Sequence, residues 1–353
     1  MASSSAQNLT RIPIPPADNI SAIRFSPDEN SSAFAVASWD SKAYIYRADQ
    51  GTMQTKFTCP FPTTDCCWLD STKVVFTSLD ARITVMDART SQIVAQLDRA
   101  HDNGIRAVSR VDHGTIITGS WDRKVKQFDI RSMKNTATAP VSAKVFCQDI
   151  TPEVPAPSAY NGSSSSSSSR KLVVGGHDKK IHVFELRGGS IAKIKEEDSA
   201  LKYQLRAIAC MPDGLGYVQG SVEGRASWDY FEPDMIQKKF AFKCHREQTE
   251  NGMEHIFPVH DIAFHPKWHT FATVGGDGTL CMWDGQAKKR IWKTSKFDDE
   301  ISALSFSANG QYLAMGVSST QSVDGPKEIW IKQLADHEVV PRSHQLQNPA
   351  QRR

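Results

Sequence analysis

Residues Gly275–Trp283 read GGDGTLCMW, a short polar turn that runs directly into alternating apolar side chains. Five other segments align with it without gaps: SWDSKAYIY from Ser38, SLDARITVM from Ser78, SWDRKVKQF from Ser120, GHDKKIHVF from Gly176 and SVEGRASWD from Ser221. Each has an acidic third residue, and an Asp at this place accepts backbone N–H bonds within a tight turn. Period-2 alternation after the turn is typical of a strand with one buried face. The chain therefore contains a repeated turn–strand unit.

The repeat length indicates how many units the chain holds. The six segments begin 40, 42, 56, 45 and 54 positions apart. A second strand signal precedes each turn by about 20 residues, so the unit is three or four short strands. Repeats of roughly 40–45 residues are typical of propeller blades. We predict an all-β, single-domain, seven-bladed β-propeller, closed by pairing of the segment Leu9–Ile14 with the blade that contains Ile301–Leu334.

The repeat resembles the WD-repeat family of propellers. Trp283–Asp284 ends the strand of the sixth unit, as the dipeptide that names the family does. His101 and His255 each stand four residues before an apolar strand, the place of the blade histidine in that family. The resemblance implies that they form buried, structural hydrogen bonds with Asp122 and Asp277.

Two segments differ in composition from the repeat. Residues 152–170 read PEVPAPSAYNGSSSSSSSR and account for the 56-residue interval. Such composition buries too little apolar surface to order itself. We therefore assign residues 1–340 to the propeller, with 152–170 as a disordered Ser-rich loop within the fourth blade, and residues 341–353 to a disordered tail.

Composition excludes several classes of partner. The chain has 42 basic and 39 acidic residues among 353, a net charge of +3, so we do not expect a nucleic-acid partner. No run of 18 apolar residues and no signal peptide is present, so we expect a soluble intracellular protein without a membrane partner. Seven scattered cysteines without a C-x-x-C pair predict buried free thiols.

No motif in the sequence indicates catalysis. A phosphate loop, a G-x-S-x-G elbow and an H-E-x-x-H pair are all missing. The densest histidine cluster, HIFPVHDIAFHPKWH, follows strand alternation and does not suggest a tetrahedral metal site. We expect no enzyme activity, no metal and no cofactor. An unrecognised enzyme is the third hypothesis, after the two adaptor functions described below.

Binding residues are expected on one face of the disc. In WD-repeat propellers the acidic turns and the linkers between blades share this face, its top. Trp39 and Trp121 are the second residues of two such turns. They either pack locally between blades or act as aromatic anchors of the kind that interfaces enrich.

A second candidate group surrounds the fifth unit, where the turn and both flanking linkers are basic: Lys202, Arg206, Arg225, Lys243 and Arg246. Such a group is either a solvated charged surface or a site for phosphate or carboxylate, which Arg binds through two nitrogens.

Four strings carry a more specific resemblance: LKYQLR, SVEGR, KKFAFKCHR and FHPKWHTFATVGGDGTLCMWD. They resemble the mitotic spindle-checkpoint propellers of the "budding uninhibited by benzimidazoles" family, whose sister family is the messenger-RNA export propeller of the nuclear pore. The similarity extends from about Ile20 to Leu334.

The resemblance implies a non-catalytic adaptor with two binding sites. Arg206 of KYQLR would pair with a glutamate of a short acidic GLEBS segment, supported by Trp39 and Trp121. Arg225 of VEGR and Lys243 of FKCH would hold a phosphothreonine in the Met-Glu-Leu-Thr repeats of a kinetochore scaffold.

The implied partners are a checkpoint kinase and its kinase-like relative, both with GLEBS segments, the phosphorylated kinetochore scaffold, and the ubiquitin-ligase inhibitory checkpoint complex. The implied location is the nucleus, and the kinetochore in mitosis. The alternative is an mRNA export adaptor that binds a GLEBS-bearing nucleoporin.

Trp228 lies in a strand that is less uniformly apolar than the corresponding strand of the family. It is either an added surface contact or a core residue.

Overall fold

The repeated unit folds as an antiparallel sheet whose turns are held by side-chain hydrogen bonds. In the third unit the Asp122 carboxylate accepts the backbone N–H of Lys124 at 3.0 Å, and the Ser120 hydroxyl accepts that of Asp122 at 3.1 Å. The computed structural model describes residues 9–153, 170–319 and 325–341. These residues form seven four-stranded antiparallel sheets and one two-stranded hairpin.

The strands follow one another blade by blade. Blades 1 to 3 contain β2 (Ile20–Phe25), β3 (Ala33–Ser38), β4 (Lys42–Arg47), β5 (Thr52–Thr58), β6 (Thr63–Trp68), β7 (Lys73–Ser78), β8 (Ile83–Asp87), β9 (Ile93–Leu97), β10 (Ile105–Arg110), β11 (Thr115–Ser120), β12 (Lys124–Asp129) and β13 (Lys134–Pro140). Blades 4 and 5 contain β14 (Val145–Ile150), β15 (Arg170–Gly176), β16 (Lys180–Arg187), β17 (Ser190–Asp198), β18 (Leu205–Cys210), β19 (Gly216–Ser221), β20 (Arg225–Tyr230) and β21 (Phe240–Lys243), with a 3₁₀-helix at Pro233–Lys238. The hairpin is β22 (Arg246–Gln248) and β23 (Glu254–Ile256). Blades 6 and 7 contain β24 (Val259–Phe264), β25 (Phe271–Gly275), β26 (Leu280–Asp284), β27 (Lys289–Lys293), β28 (Ile301–Phe306), β29 (Tyr312–Ser318) and β30 (Lys327–Gln333), joined by β1 (Leu9–Arg11) and followed by helix α1 (Asp336–Val339).

The seven sheets form a closed ring around a central channel. The first strand of each blade packs against the first strand of the next, from β2 through β6, β10, β14, β18, β24 and β28 back to β2. β1 pairs antiparallel with β30, and Leu9 lies opposite Lys332. The N–H of Ile12 also donates to the carbonyl of Ile329 at 2.8 Å. The predicted seven-bladed all-β propeller and its closure by the N-terminal segment are therefore confirmed.

The hydrophobic core is divided into layers between blades. Between blades 7 and 1, Ile12, Ile23, Phe34 and Tyr46 are fully buried. Full burial of such an aliphatic or aromatic side chain stabilises the fold by about 1.5–3 kcal/mol. Because each strand alternates, each blade has two buried faces, one toward each neighbouring blade.

Trp228 belongs to this core. It is 5% exposed and its ring centroid lies 5.6 Å from that of Phe271 and 5.9 Å from that of Phe264, both of blade 6. A Cβ on Gly285 would come within 1.9 Å of the Trp228 ring, so only glycine leaves room for this indole. Of the two alternatives for Trp228, the structure therefore favours a core residue over a surface contact.

Buried His–Asp pairs link the linkers to the turns in two blades. His101 Nδ1 lies 2.9 Å from an oxygen of Asp122, as the sequence predicts. The prediction for His255 is wrong: this residue is exposed on β23, and His245 Nδ1 lies 2.7 Å from Asp277 instead. The physical reason is the β22–β23 hairpin, which follows His245 directly and separates it from the next strand.

The same hairpin accounts for the long 54-residue interval between the turns of the fifth and sixth units. Most of the predicted Ser-rich loop and of the predicted tail lies outside the described residues. At the end of that loop, Arg170 already belongs to β15, and at the start of the tail Pro341 is described.

All seven cysteines are buried free thiols, as predicted. Burial raises the pKa of Cys59 and of Cys147 to about 12. None of the helices in the described ranges has the length and apolar character needed to cross a membrane.

Candidate binding face

Backbone hydrogen bonds between linkers and acidic turns define one end of the disc. The N–H of Trp39 donates to the carbonyl of Asn19 at 2.9 Å, and that of Trp121 donates to Gly104 at 3.1 Å. Equivalent bonds recur in other blades. We call this end the top face. Turns and linkers do share it, as the sequence analysis expected.

The second residue of every innermost strand lies at the mouth of the central channel. In all seven blades the pairing register of the first and second strands shifts at this residue. Such a bulge changes the direction of the side chain. The seven residues line one depression of about 480 Å³ and are Ser21, Thr64, Arg106, Phe146, Arg206, His260 and Ser302.

Arg206 is the predicted site residue in this ring. Its Nη2 donates to Nδ1 of His260 at 3.3 Å, and Nε2 of His260 lies 2.9 Å from Glu300. His260 and Glu300 are both buried. Burial lowers the pKa of Arg206, and the nearby charge of Arg106 lowers it further. The guanidinium therefore lies in a polar but partly dehydrated setting, where an anion would be favourable.

The two tryptophans line the same depression as Arg206. Trp39 is 42% exposed, an unusual state for so large an apolar side chain. Trp121 is half-buried and packs on the linker at Gly104. Its indole Nε1 is buried and has no hydrogen-bond acceptor among the described residues. Such an unsatisfied buried donor costs about 1–3 kcal/mol.

Arg225 and Lys243 form a second group, farther from the axis. They lie opposite each other on the adjacent strands β20 and β21. Leu205 pairs with Ser221 at the same end of blade 5, so this group shares the top face with Arg206. Lys243 is 56% and Arg225 38% exposed in the side chain. Neither residue lines the central depression, so the five predicted site residues form two neighbouring groups on one face. We call Arg225 and Lys243 the outer cation pair.

Arg246 has a structural role, whereas the sequence suggested that it belongs to a binding site. Its side chain is 11% exposed and donates to the carbonyls of Glu223 at 2.7 Å and Gly224 at 3.0 Å. It also binds Glu254 at 2.6 Å. Arg246 therefore holds the acidic turn against the hairpin and is a structural residue. Lys202, by contrast, is exposed.

Deeper in the channel, one arginine faces three aspartates. Arg24 lies 3.7 Å from Asp65 and 3.8 Å from Asp261. Burial opposes the charge of Arg24, but these carboxylates raise its pKa above the ordinary value. Asp65, Asp149 and Asp261 each accept a backbone N–H from the following blade, at 2.8–3.0 Å. This cluster ties the blades together, and the described residues hold no group of three His, Cys, Asp or Glu able to bind a metal.

Sequence reasoning missed Arg106, His260 and Phe146. All three hold the same place in their repeats as Arg206 does in the fifth, the second residue of the first strand. Alignment of the seven linkers on that position would have found them.

Comparisons with known proteins agree with this geometry. A family model described as "WD domain, G-beta repeat" matches residues 92–129, and one described as "N-terminal beta-propeller domain" matches residues 245–325. The chain is 36% identical to "Mitotic checkpoint protein BUB3.1" of Arabidopsis thaliana, over 95% of this chain and 96% of the relative.

Two further relatives cover nearly the whole chain. "Mitotic checkpoint protein bub-3" of Caenorhabditis elegans is 34% identical over 96% of this chain and 97% of its own length. "mRNA export factor GLE2" of Chaetomium thermophilum is 32% identical over 93% of this chain and 91% of its own. With a closed ring of seven WD-repeat blades and full-length similarity of this degree, the chain belongs to the mitotic checkpoint propeller family, whose sister family is that of the mRNA export factors.

Proposed function

We propose that the protein is a non-catalytic adaptor of the mitotic spindle assembly checkpoint. Arg206, Trp39 and Trp121 bind a GLEBS segment of the checkpoint kinase or of its kinase-like relative. Arg225 and Lys243 bind the phosphothreonine of Met-Glu-Leu-Thr repeats in the kinetochore scaffold. The observation that carries this proposal is the pair of separate cationic groups on one face, one enclosed beside tryptophans and one exposed.

An acidic side chain suits the mouth of the channel. Neither Arg106 nor Arg206 has an ion pair with a carboxylate of the described residues. A glutamate would accept from a guanidinium through two nearly parallel bonds. Each such charge-assisted bond contributes about 1.5–3 kcal/mol. The exposed face of Trp39 would add apolar contact.

A phosphate suits the outer cation pair. The Arg225 and Lys243 side chains project from facing positions and remain partly exposed. A phosphothreonine carries close to two negative charges and three acceptor oxygens, enough for both cations at once. With the kinase segment bound at the mouth of the channel and the scaffold bound beside it, one face of the propeller brings the kinase to the kinetochore. Together with the kinase-like relative, the same face brings the kinase into the ubiquitin-ligase inhibitory checkpoint complex.

The similarity to an mRNA export factor supports a second candidate, an adaptor for a GLEBS-bearing nucleoporin. Location separates the two. A fluorescently tagged protein of the checkpoint kind is nuclear in interphase and gathers at unattached kinetochores in prometaphase. An export adaptor would line the nuclear envelope throughout interphase.

The direct test is peptide binding by fluorescence anisotropy. We expect Arg225→Ala and Lys243→Ala each to weaken binding of a phosphorylated Met-Glu-Leu-Thr peptide about tenfold, since each removes one partly solvated contact. Binding of a GLEBS peptide should change less than twofold. Lys134→Ala, the same loss of charge at an exposed position in blade 3, is the matched control. Equal affinity of the wild type for phosphorylated and unphosphorylated peptides would refute the phosphate site.

A further inference from the structure

Carboxylates of the protein itself already contact both members of the outer cation pair: Glu223 lies 3.8 Å from Nε of Arg225, and Glu254 contacts Lys243. Glu254, on β23 of the hairpin, lies 3.4 Å from Nζ of Lys243 through Oε2. The same oxygen accepts from Nη1 of Arg246 at 2.6 Å. One glutamate is thus shared between a cation proposed to bind phosphate and a cation that holds the hairpin in place.

The sharing is unequal, and this decides which bond can open. Arg246 is nearly buried and is fixed in place by its bonds to the carbonyls of Glu223 and Gly224, so it stays beside Glu254, to which it makes a short bond. Lys243 is mostly exposed, and its contact with Glu254 is long. When Lys243 moves away, Glu254 keeps a cationic partner. The lysine can therefore exchange one anion for another without leaving a bare carboxylate.

We propose that Glu254 is an internal competitor for Lys243, which a phosphate must draw away from it, and that Glu254 thereby limits the affinity of the outer cation pair for phosphopeptides. The proposal rests on the assignment of Arg225 and Lys243 as the phosphate site. Its physical basis is that Glu254 both occupies the lysine and places a negative charge beside the incoming phosphate. At an exposed site these effects are partly screened.

The test removes the negative charge of Glu254 and keeps the shape of its side chain. In Glu254→Gln the amide oxygen still accepts from Arg246. We expect this variant to bind a phosphothreonine peptide about threefold to tenfold more tightly than the wild type at low ionic strength. Glu250→Gln, the same change of charge on the exposed part of the hairpin, should stay within about twofold. In a Lys243→Ala background the gain from Glu254→Gln should shrink.

Two outcomes separate this inference from the phosphate site itself. A wild type that does not prefer the phosphorylated peptide contradicts the proposed function. The competitor role is overturned if the wild type does prefer the phosphorylated peptide but Glu254→Gln, at a normal melting temperature, binds that peptide with unchanged or weaker affinity. Glu254 would then orient Lys243. If Glu254→Gln unfolds, Glu254→Asp retracts the carboxylate from Lys243, and it should still bind the peptide more tightly than wild type. No gain with Asp overturns the inference too.

Discussion

The buried Asp277 should make the stability of the propeller depend on acid in a defined way. Its carboxylate lies 2.7 Å from His245 Nδ1, accepts the Thr279 hydroxyl at 2.6 Å, and is 3.5 Å from Lys293. Burial by itself would raise the pKa of Asp277, but the hydrogen bond and charge of His245, with the other two contacts, lower it from 3.8 to about 2.

The sign follows from linkage between protonation and folding. A carboxylate with a lowered pKa in the folded state contributes stability that is complete above its unfolded value, here 3.8, and is lost as pH falls through 2. The difference corresponds to about 2 kcal/mol, of which about half is lost by pH 3. Because the side chain is fully buried, solvent does not screen these interactions.

Urea denaturation of the wild type and of Asp277→Asn between pH 7 and pH 3 measures this contribution. The variant should be less stable at pH 7, and the gap should narrow by about 1 kcal/mol at pH 3, since only the wild type has this carboxylate to protonate. Asp234→Asn, an exposed acid in the 3₁₀-helix, is the control and should follow the wild type. A gap that stays constant from pH 7 to pH 3 would refute the role given to Asp277.

Two other substitutions test the central site and the core. Arg206→Lys keeps the charge but loses the planar fork that meets His260 and a carboxylate, so GLEBS-peptide affinity should fall at least about tenfold by calorimetry. Phosphopeptide affinity should not change. Gly285→Ala forces a methyl group into the Trp228 ring and should lower the free energy of unfolding by about 1–3 kcal/mol. Gly114→Ala, with no atom nearer than 3.7 Å to the new methyl, should cost much less.

The residues that the sequence placed well are those fixed by the repeat. Trp39 and Trp121 hold one position of the turn, and Arg206 holds one position of the first strand. Because every blade has the same bulge and the same turn, side chains at equivalent positions point the same way relative to the axis of the ring. Local chemistry repeated along the chain was therefore enough to place these three side chains on one face of the disc.

What the sequence could not supply depends on contacts between distant segments. His255 fits the family spacing, but the hairpin inserted after His245 makes that spacing misleading. The structural part of Arg246 depends on two carbonyls of a turn more than twenty residues away. Trp228 fits inside the core only because Gly285 of the next blade has no side chain. None of these pairings leaves a periodic trace in the sequence.

The central claim is that one face of the propeller holds two ligands at separate cationic groups. Calorimetric titration of a phosphorylated Met-Glu-Leu-Thr peptide into protein already saturated with a GLEBS peptide tests it most directly. If the two sites are separate, the phosphopeptide binds one-to-one with an affinity no weaker than in the absence of the GLEBS peptide. Loss of phosphopeptide binding on saturation would mean that both ligands use the same residues, which contradicts the claim.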